Sequence, residues 1–294
     1  MLDAAAHASV SQAEQMIRAA FERKLAGVHK IRLENNVDNS SPSIAFTFVK
    51  DFVLGEGVYR LDEAAHVGCG HPCRPNMGQG IGCEYPRDCA CLEYAAVDDS
   101  RITSADATRY EEYLQERENG WLVNTERLPK RFPYQKSSGH GIPSTLIKFH
   151  LESRHPIYEC NRNCDCGPVC KSRVVQKGRR VPLVIFKTND SRGWGVYCDE
   201  DLVRGEFIDT YIGEVLTNEE TERREASMSG QARAIVSLRP RQYTVSYNKH
   251  DLRIYDLAFF AYEDIPAGTE LTFDYQDKDE EEEEDVLKKR AAAA

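Results

Sequence analysis

Nine of the ten cysteines fall into two groups. Cys69, Cys73, Cys83, Cys89 and Cys91 form the first, spaced C-x3-C-x9-C-x5-C-x-C. Cys160, Cys164, Cys166 and Cys170 form the second, spaced C-x3-C-x-C-x3-C. The pairs Cys89-Ala90-Cys91 and Cys164-Asp165-Cys166 are too tight for two independent four-cysteine fingers, which favour C-x2-C knuckles. A C-x-C pair more naturally feeds two neighbouring metals. Nine thiolates suit three tetrahedral zinc ions, with three cysteines bridging and six terminal. Such a cluster is closed to substrates, carries three net negative charges, and stabilises a Gly-, Pro- and Cys-rich stretch, 67–91, too poor in apolar residues to fold alone. Two separate zinc sites, or partly unligated thiols, remain the alternative. His71, inside C-G-H-P-C, is expected to be a bystander, because nine cysteines already close the ligand count. Cys198 sits in a strand pattern and reads as a small buried hydrophobe.

Three segments of the C-terminal half carry a second kind of chemistry. They are Arg192-Gly193-Trp194-Gly195-Val196, Tyr211-Ile212-Gly213-Glu214-Val215 and Glu270-Leu271-Thr272-Phe273-Asp274-Tyr275. Glycines let a backbone approach a ligand closely, but most such turns are only turns. Tyr211 and Tyr275 could equally be core tyrosines with satisfied hydroxyls.

The elements that must position these residues follow from pattern. Residues 11–28 are predicted to form a helix, with Ser11 as cap, Glu14 three residues on, and Met16, Ala19, Ala20, Phe21 and Leu25 at helical spacing. The run IAFTFV, 44–49, is a strand candidate. A short helix is expected at 104–118 and another at 218–226. Short strands are expected at 182–188, 194–198, 207–212, 242–247, 253–262 and 270–273, separated by turn formers. The fold class is therefore mainly β, with an irregular zinc-cluster region and few helices. The net charge is −10, of which the tail 276–294 supplies −4 and the body −6. An acidic body disfavours strong direct nucleic-acid binding and suits a basic partner. No apolar run is long enough for a membrane helix, and residues 1–10 lack a secretory pattern, so the cysteine count points to metal or catalysis rather than disulfides.

Together and in this order, the three segments resemble a SET domain, the catalytic unit of protein lysine methyltransferases, and the nine cysteines resemble the pre-SET zinc cluster. Residues 161–176, NRNCDCGPVCKSRVVQ, are similar to the pre-SET/SET junction of the suppressor-of-variegation class, the histone H3 lysine-9 enzymes of heterochromatin. Val37-Asp38, Pro42-Ser43 and Phe46-Thr47-Phe48 resemble the N-terminal wrap of fungal members. The resemblance implies a SET-type β-clip fold preceded by a three-zinc pre-SET domain. It divides the chain into an N-terminal helix and strand wrapping the SET core (1–60), a pre-SET region with an inserted loop near 98–153 (61–172), a SET domain (173–275) and an acidic disordered tail (276–294).

It further implies methyl transfer from S-adenosylmethionine to a lysine of the histone H3 tail, in the nucleus, on chromosomes, among chromatin-associated proteins and away from membranes. The Tyr275 hydroxyl would orient the amine, and Tyr211 and Phe273 would line the lysine channel. Arg192, Gly193, Trp194 and Gly195 would bind the cofactor, the backbone of 193–195 taking its methionine end. An aromatic channel suits this chemistry, since desolvation favours the neutral attacking amine and tyrosine faces favour the sulfonium. The histone tail would lie as an added strand on an exposed edge. One departure stands out. The family's R-F-x-N-H-S-C-x-P-N segment, whose Asn-His pair holds the cofactor, is missing, so the SET domain reads as internally deleted near 226–241; the post-SET cysteines are missing too. A non-catalytic zinc scaffold for chromatin partners is the alternative reading.

Overall fold

The computed structural model describes residues 9–45, 47–59, 68, 82–84, 87, 89–119, 124–135, 144–152, 156–164, 166, 170–189, 192–227, 243–246 and 255–272. Cys69, His71, Cys73, Phe273, Tyr275, most of the 226–241 segment and the acidic tail lie outside them.

The first helix, α1 (Val10–Leu25), is capped by Ser9, not Ser11. The Ser9 hydroxyl accepts from Gln12 N–H, and the Gln12 carboxamide accepts from Ser9 N–H, which completes a capping box. Its buried stripe is Ala20, Phe21 and Leu25. The strand expected at 44–49 does not form among the described residues. Its apolar run packs by side chain instead: the Phe48 ring meets Phe21 edge-on at 6.3 Å. The sheet position is taken by β1 (Ile31–Glu34), which pairs in parallel with β6 (Leu183–Lys187). A short β2 (Val53–Leu54) follows.

Residues 98–153, read from the sequence as an inserted loop, contain the expected helix, α2 (Ala107–Glu118), the hairpin β3 (Tyr134–Gln135) and β4 (Thr145–Leu146), and α3 (Lys148–Glu152). Tyr134, Leu146 and Leu151 are core residues, packed with Ile157, Val175, Phe207, Val245 and Phe260. The remaining elements are β5 (Ile157–Tyr158), β7 (Trp194–Cys198), β8 (Phe207–Tyr211), β9 (Glu214–Val215), α4 (Asn218–Ser227), β10 (Tyr243–Ser246) and β11 (Tyr255–Phe260).

Two sheets position the C-terminal motifs. One is ordered β1-β6-β7 and the other β5-β10-β11-β8. Strand alternation sends Ile31, Leu183, Val196 and Cys198 to one face of the first sheet, where they join Ile208, Phe259 and Ala261 of the second in a shared core. The opposite face carries Arg32, Glu34, Phe186 and Tyr197. β10 lies inside its sheet, between β5 and β11, and Val245 is fully buried.

Candidate metal centre and ligand-binding hairpin

Two 3-10 turns, Gly82–Glu84 and Ala90–Leu92, present Cys83, Cys89 and Cys91 with ligand atoms all within 4.8 Å of one another. Cys160, Cys166 and Cys170 form a second such triad. The triads are contiguous. With Cys164, Leu92 and Phe132 they make one buried cluster, and Cys91 reaches Cys160 across it. None of the seven is in a disulfide. Hydrogen bonds with Cys164, Cys166 and Cys170 push the Cys160 thiol far above its ordinary range. Protonated sulfurs crowded this way are a poor core, whereas soft thiolate donors at this density fit zinc, which displaces the protons. The surroundings brace the cluster. The Glu84 carboxylate accepts Phe132 N–H at 2.6 Å and pairs with Lys171, whose Nζ stands 5.4 Å over the Phe132 ring.

Behind the cluster, the buried Glu159 carboxylate gathers the chain. It accepts from the Tyr134 hydroxyl (2.7 Å), Val174 N–H (2.8 Å), Val175 N–H (2.8 Å) and the Gln176 carboxamide (2.7 Å). Burial still pushes its pKa up. Glu159 directly follows β5, so the hub ties the metal region to the second sheet.

The glycine-rich motif forms the β6–β7 hairpin. Gly193 has φ +102°, which a side chain resists, and its carbonyl accepts from Thr188 N–H at 3.0 Å. Gly195 is needed for space. A Cβ there would lie 2.7 Å from Phe186 Cε1 and 2.7 Å from Glu270 Oε1. Trp194 is covered by Lys187, whose Nζ stands 5.2 Å from its ring and 3.8 Å from Asp38 of the N-terminal wrap. The Arg192 guanidinium is engaged by Glu270 through two bonds, 2.8 and 3.3 Å.

The third motif comes to the same place. Leu271 N–H donates to Val196 carbonyl at 2.7 Å, and Glu270 bridges to Tyr197. The residues leading into Phe273 and Tyr275 thus run beside the hairpin as far as Thr272. Tyr211 ends β8 in the second sheet, its ring edge-on to Phe259 at 6.1 Å. Asp209, two residues earlier on the same face, is raised in pKa by burial and pairs with Arg179 at 3.0 Å. Sequence reasoning missed Phe186, Glu159, Arg173 and the Arg192–Glu270 pair. Phe186 sits opposite Gly195 in the hairpin register, a pairing visible only once the strands are aligned.

Comparison with known proteins places this geometry. The Pre-SET motif matches residues 23–173. The H3 lysine-9 specific histone-lysine N-methyltransferase KMT1 of Fusarium mangiferae is 30% identical over 296 residues, covering 84% of this chain and 79% of that protein. That alignment is longer than the matched share of this chain, so part of the relative has no counterpart here. The solved Neurospora SET domain protein DIM-5, a histone lysine methyltransferase, superposes with a TM-score of 0.60 at 30% identity, covering 85% of this chain and 96% of that one. KRYPTONITE, solved with mCHH DNA, an H3(1-15) peptide and SAH, shares the fold at 24% identity and a TM-score of 0.52, over 84% of this chain and 45% of that one.

Proposed function

The chain belongs to the pre-SET-bearing histone H3 lysine-9 methyltransferases, and from that premise we propose that it transfers methyl from S-adenosylmethionine to a lysine amine of the histone H3 tail. S-adenosylmethionine supplies an electrophilic methyl on a sulfonium. The chain supplies position. Backbone groups of Gly193, Trp194 and Gly195 hold the cofactor's methionine end, with Arg192 fixing the hairpin through Glu270. Tyr211 and Phe273 line the channel that strips water from the lysine, so the amine reaches the methyl unprotonated. Tyr275 orients it, and alignment in a dry site supplies most of the rate. The observation that carries this reading is the Leu271–Val196 hydrogen bond, which starts the Phe273–Tyr275 segment at the glycine hairpin. Nine cysteines, Cys69 and Cys73 included, hold three zinc ions in the pre-SET cluster; contiguity of the two described triads supports one shared cluster. The site of action is nuclear chromatin.

The short connection 228–242, without an Asn-His pair, favours a second reading, a zinc scaffold that binds no cofactor. Calorimetric titration of the zinc-loaded full chain with S-adenosylmethionine separates the two. Micromolar binding is expected for the enzyme. A folded, zinc-holding protein that takes up no cofactor overturns the catalytic reading in favour of the scaffold.

A further inference from the structure

Two cations are buried among the described residues, Lys130 and Arg173. Lys130 donates to the Glu93 carbonyl at 3.0 Å. Arg173 lies three residues past the last cysteine and faces the cluster. Its Nη2 donates to the Asn161 carbonyl and to Cys166 Sγ at 3.8 Å, while Nη1 reaches the Gln176 carboxamide oxygen at 3.4 Å. Cys160 and Cys164 also act on it electrostatically. Burying a guanidinium without a counter-charge costs several kcal/mol, so a neutral, protonated thiol set gives no reason for an arginine here. A thiolate cluster with uncompensated negative charge does.

We propose that Arg173 is the charge-compensating partner of the zinc–thiolate cluster and clamps it to the Glu159 hub through Asn161 and Gln176. This rests on the zinc reading of the cysteines. The arginine has two attachments with different physics. Towards the sulfurs it supplies charge, which offsets the net negative charge of a zinc–thiolate cluster. Towards Asn161 and Gln176 it supplies hydrogen bonds, which join residues 160–166 to the strand pair β5–β10. Neighbouring Val174 and Val175 donate to Glu159, so displacing Arg173 disturbs the cluster and the hub together.

The test uses the full-length, zinc-loaded protein. Zinc content is measured first; a wild-type chain without zinc would sink the metal reading itself, not this refinement alone. Release of zinc to a colorimetric chelator is then timed for the wild type, Arg173→Gln, Arg173→Lys and Tyr134→Phe. Gln keeps a donor for the Asn161 carbonyl but removes the charge. Lys keeps the charge. Tyr134→Phe weakens the same core without touching a sulfur, and urea denaturation lets rates be compared at matched stability. Arg173→Gln is expected to release zinc about tenfold faster or more, with Arg173→Lys close to wild type and Tyr134→Phe unchanged. Wild-type release from Arg173→Gln overturns the proposal. So does equal acceleration in Tyr134→Phe, which would make the effect one of global stability, or in Arg173→Lys, which would make charge irrelevant.

Discussion

Gly195→Ala tests the hairpin at its tightest point. The added methyl would lie 2.7 Å from Phe186 Cε1, 2.9 Å from its Cζ and 2.7 Å from Glu270 Oε1. Carbon atoms rest at about 3.5–4.0 Å, so roughly 0.8 Å must be found on each side. Neither neighbour yields freely. The Phe186 ring is backed by Tyr197 at a centroid distance of 5.3 Å, and Glu270 is held by the Arg192 fork. Overpacking of this kind costs about 1–3 kcal/mol. The unfolding free energy from urea denaturation should fall by that amount. The displaced backbone at 193–195 should also weaken S-adenosylmethionine binding by about tenfold or more in calorimetry, the equivalent of about 1.4 kcal/mol. Phe186→Leu in the same background removes two of the three clashes and should restore part of both losses. Gly193→Ala is the matched contrast. Its methyl would meet nothing within 4 Å, but φ is +102°. Its cost, about 1–3 kcal/mol, is backbone strain that Phe186→Leu leaves untouched. Unchanged stability in Gly195→Ala would refute the steric reasoning. Lost stability with unchanged affinity would refute the assignment of the hairpin to the cofactor.

Three further outcomes follow from the same contacts. Cys91→Ser should lose more than one zinc equivalent by elemental analysis, because Cys91 reaches Cys160 of the second triad; loss of a single equivalent would argue against a shared cluster. Tyr134→Phe keeps its ring against Phe260 but deletes one donor to the buried Glu159 carboxylate. It should cost about 1–3 kcal/mol by urea denaturation with zinc content unchanged, and a loss below ~0.5 kcal/mol would show that the hub does not need that donor. Glu206 is half-buried, and desolvation, reinforced by Glu200, raises its pKa. A raised carboxyl favours the protonated form in the folded state. Its stabilising contribution is therefore present below the ordinary carboxylate pKa and lost as pH rises through the folded value. Glu206→Gln should thus be more stable than wild type at neutral pH and equal to it in acid; a difference that persists in acid would contradict the sign.

How much of this was legible in the sequence depended on whether the signal was local. Short β-prone runs bounded by turn formers located β6, β7, β8, β10 and β11 to within a few residues, because turn residues carry a local signal. Cysteine spacing alone marked both metal-binding groups, since a C-x-C pair constrains ligand geometry over three residues. IAFTFV failed because β propensity says nothing about whether a partner edge is free; β1 had already taken the β6 edge. The α1 cap shifted by two residues because Ser9 with Gln12 and Ser11 with Glu14 both satisfy the capping pattern; the helix starts at the earlier one, where Ser9 and Gln12 exchange both capping-box bonds. The 98–153 segment looked like loop because its core residues, Tyr134, Leu146 and Leu151, are scattered among Pro, Gly and Ser. Glu159 and Arg173 carry no local pattern at all: their partners are set by three-dimensional convergence.

The short 226–241 segment raises the question of what its shortness can damage. An internal deletion is expected to expose strand edges. Here the strand that follows it, β10, sits between β5 and β11, with Val245 paired to both Ile157 and Asp256 and wholly buried. β10 is thus paired along its length to β11 and at Val245 and Ser246 to β5, by residues on either side of the short connection. The described part of the metal cluster, the Glu159 hub and the hairpin are built from residues 83–211 and 270–272, and Cys69 and Cys73 also precede the segment, so it supplies none of them. Folding and zinc retention are therefore expected to be separable from cofactor affinity, and a cooperative, zinc-dependent unfolding transition carries no information about catalysis. Only the cofactor titration does, and the Gly195→Ala series gives it a residue-level readout.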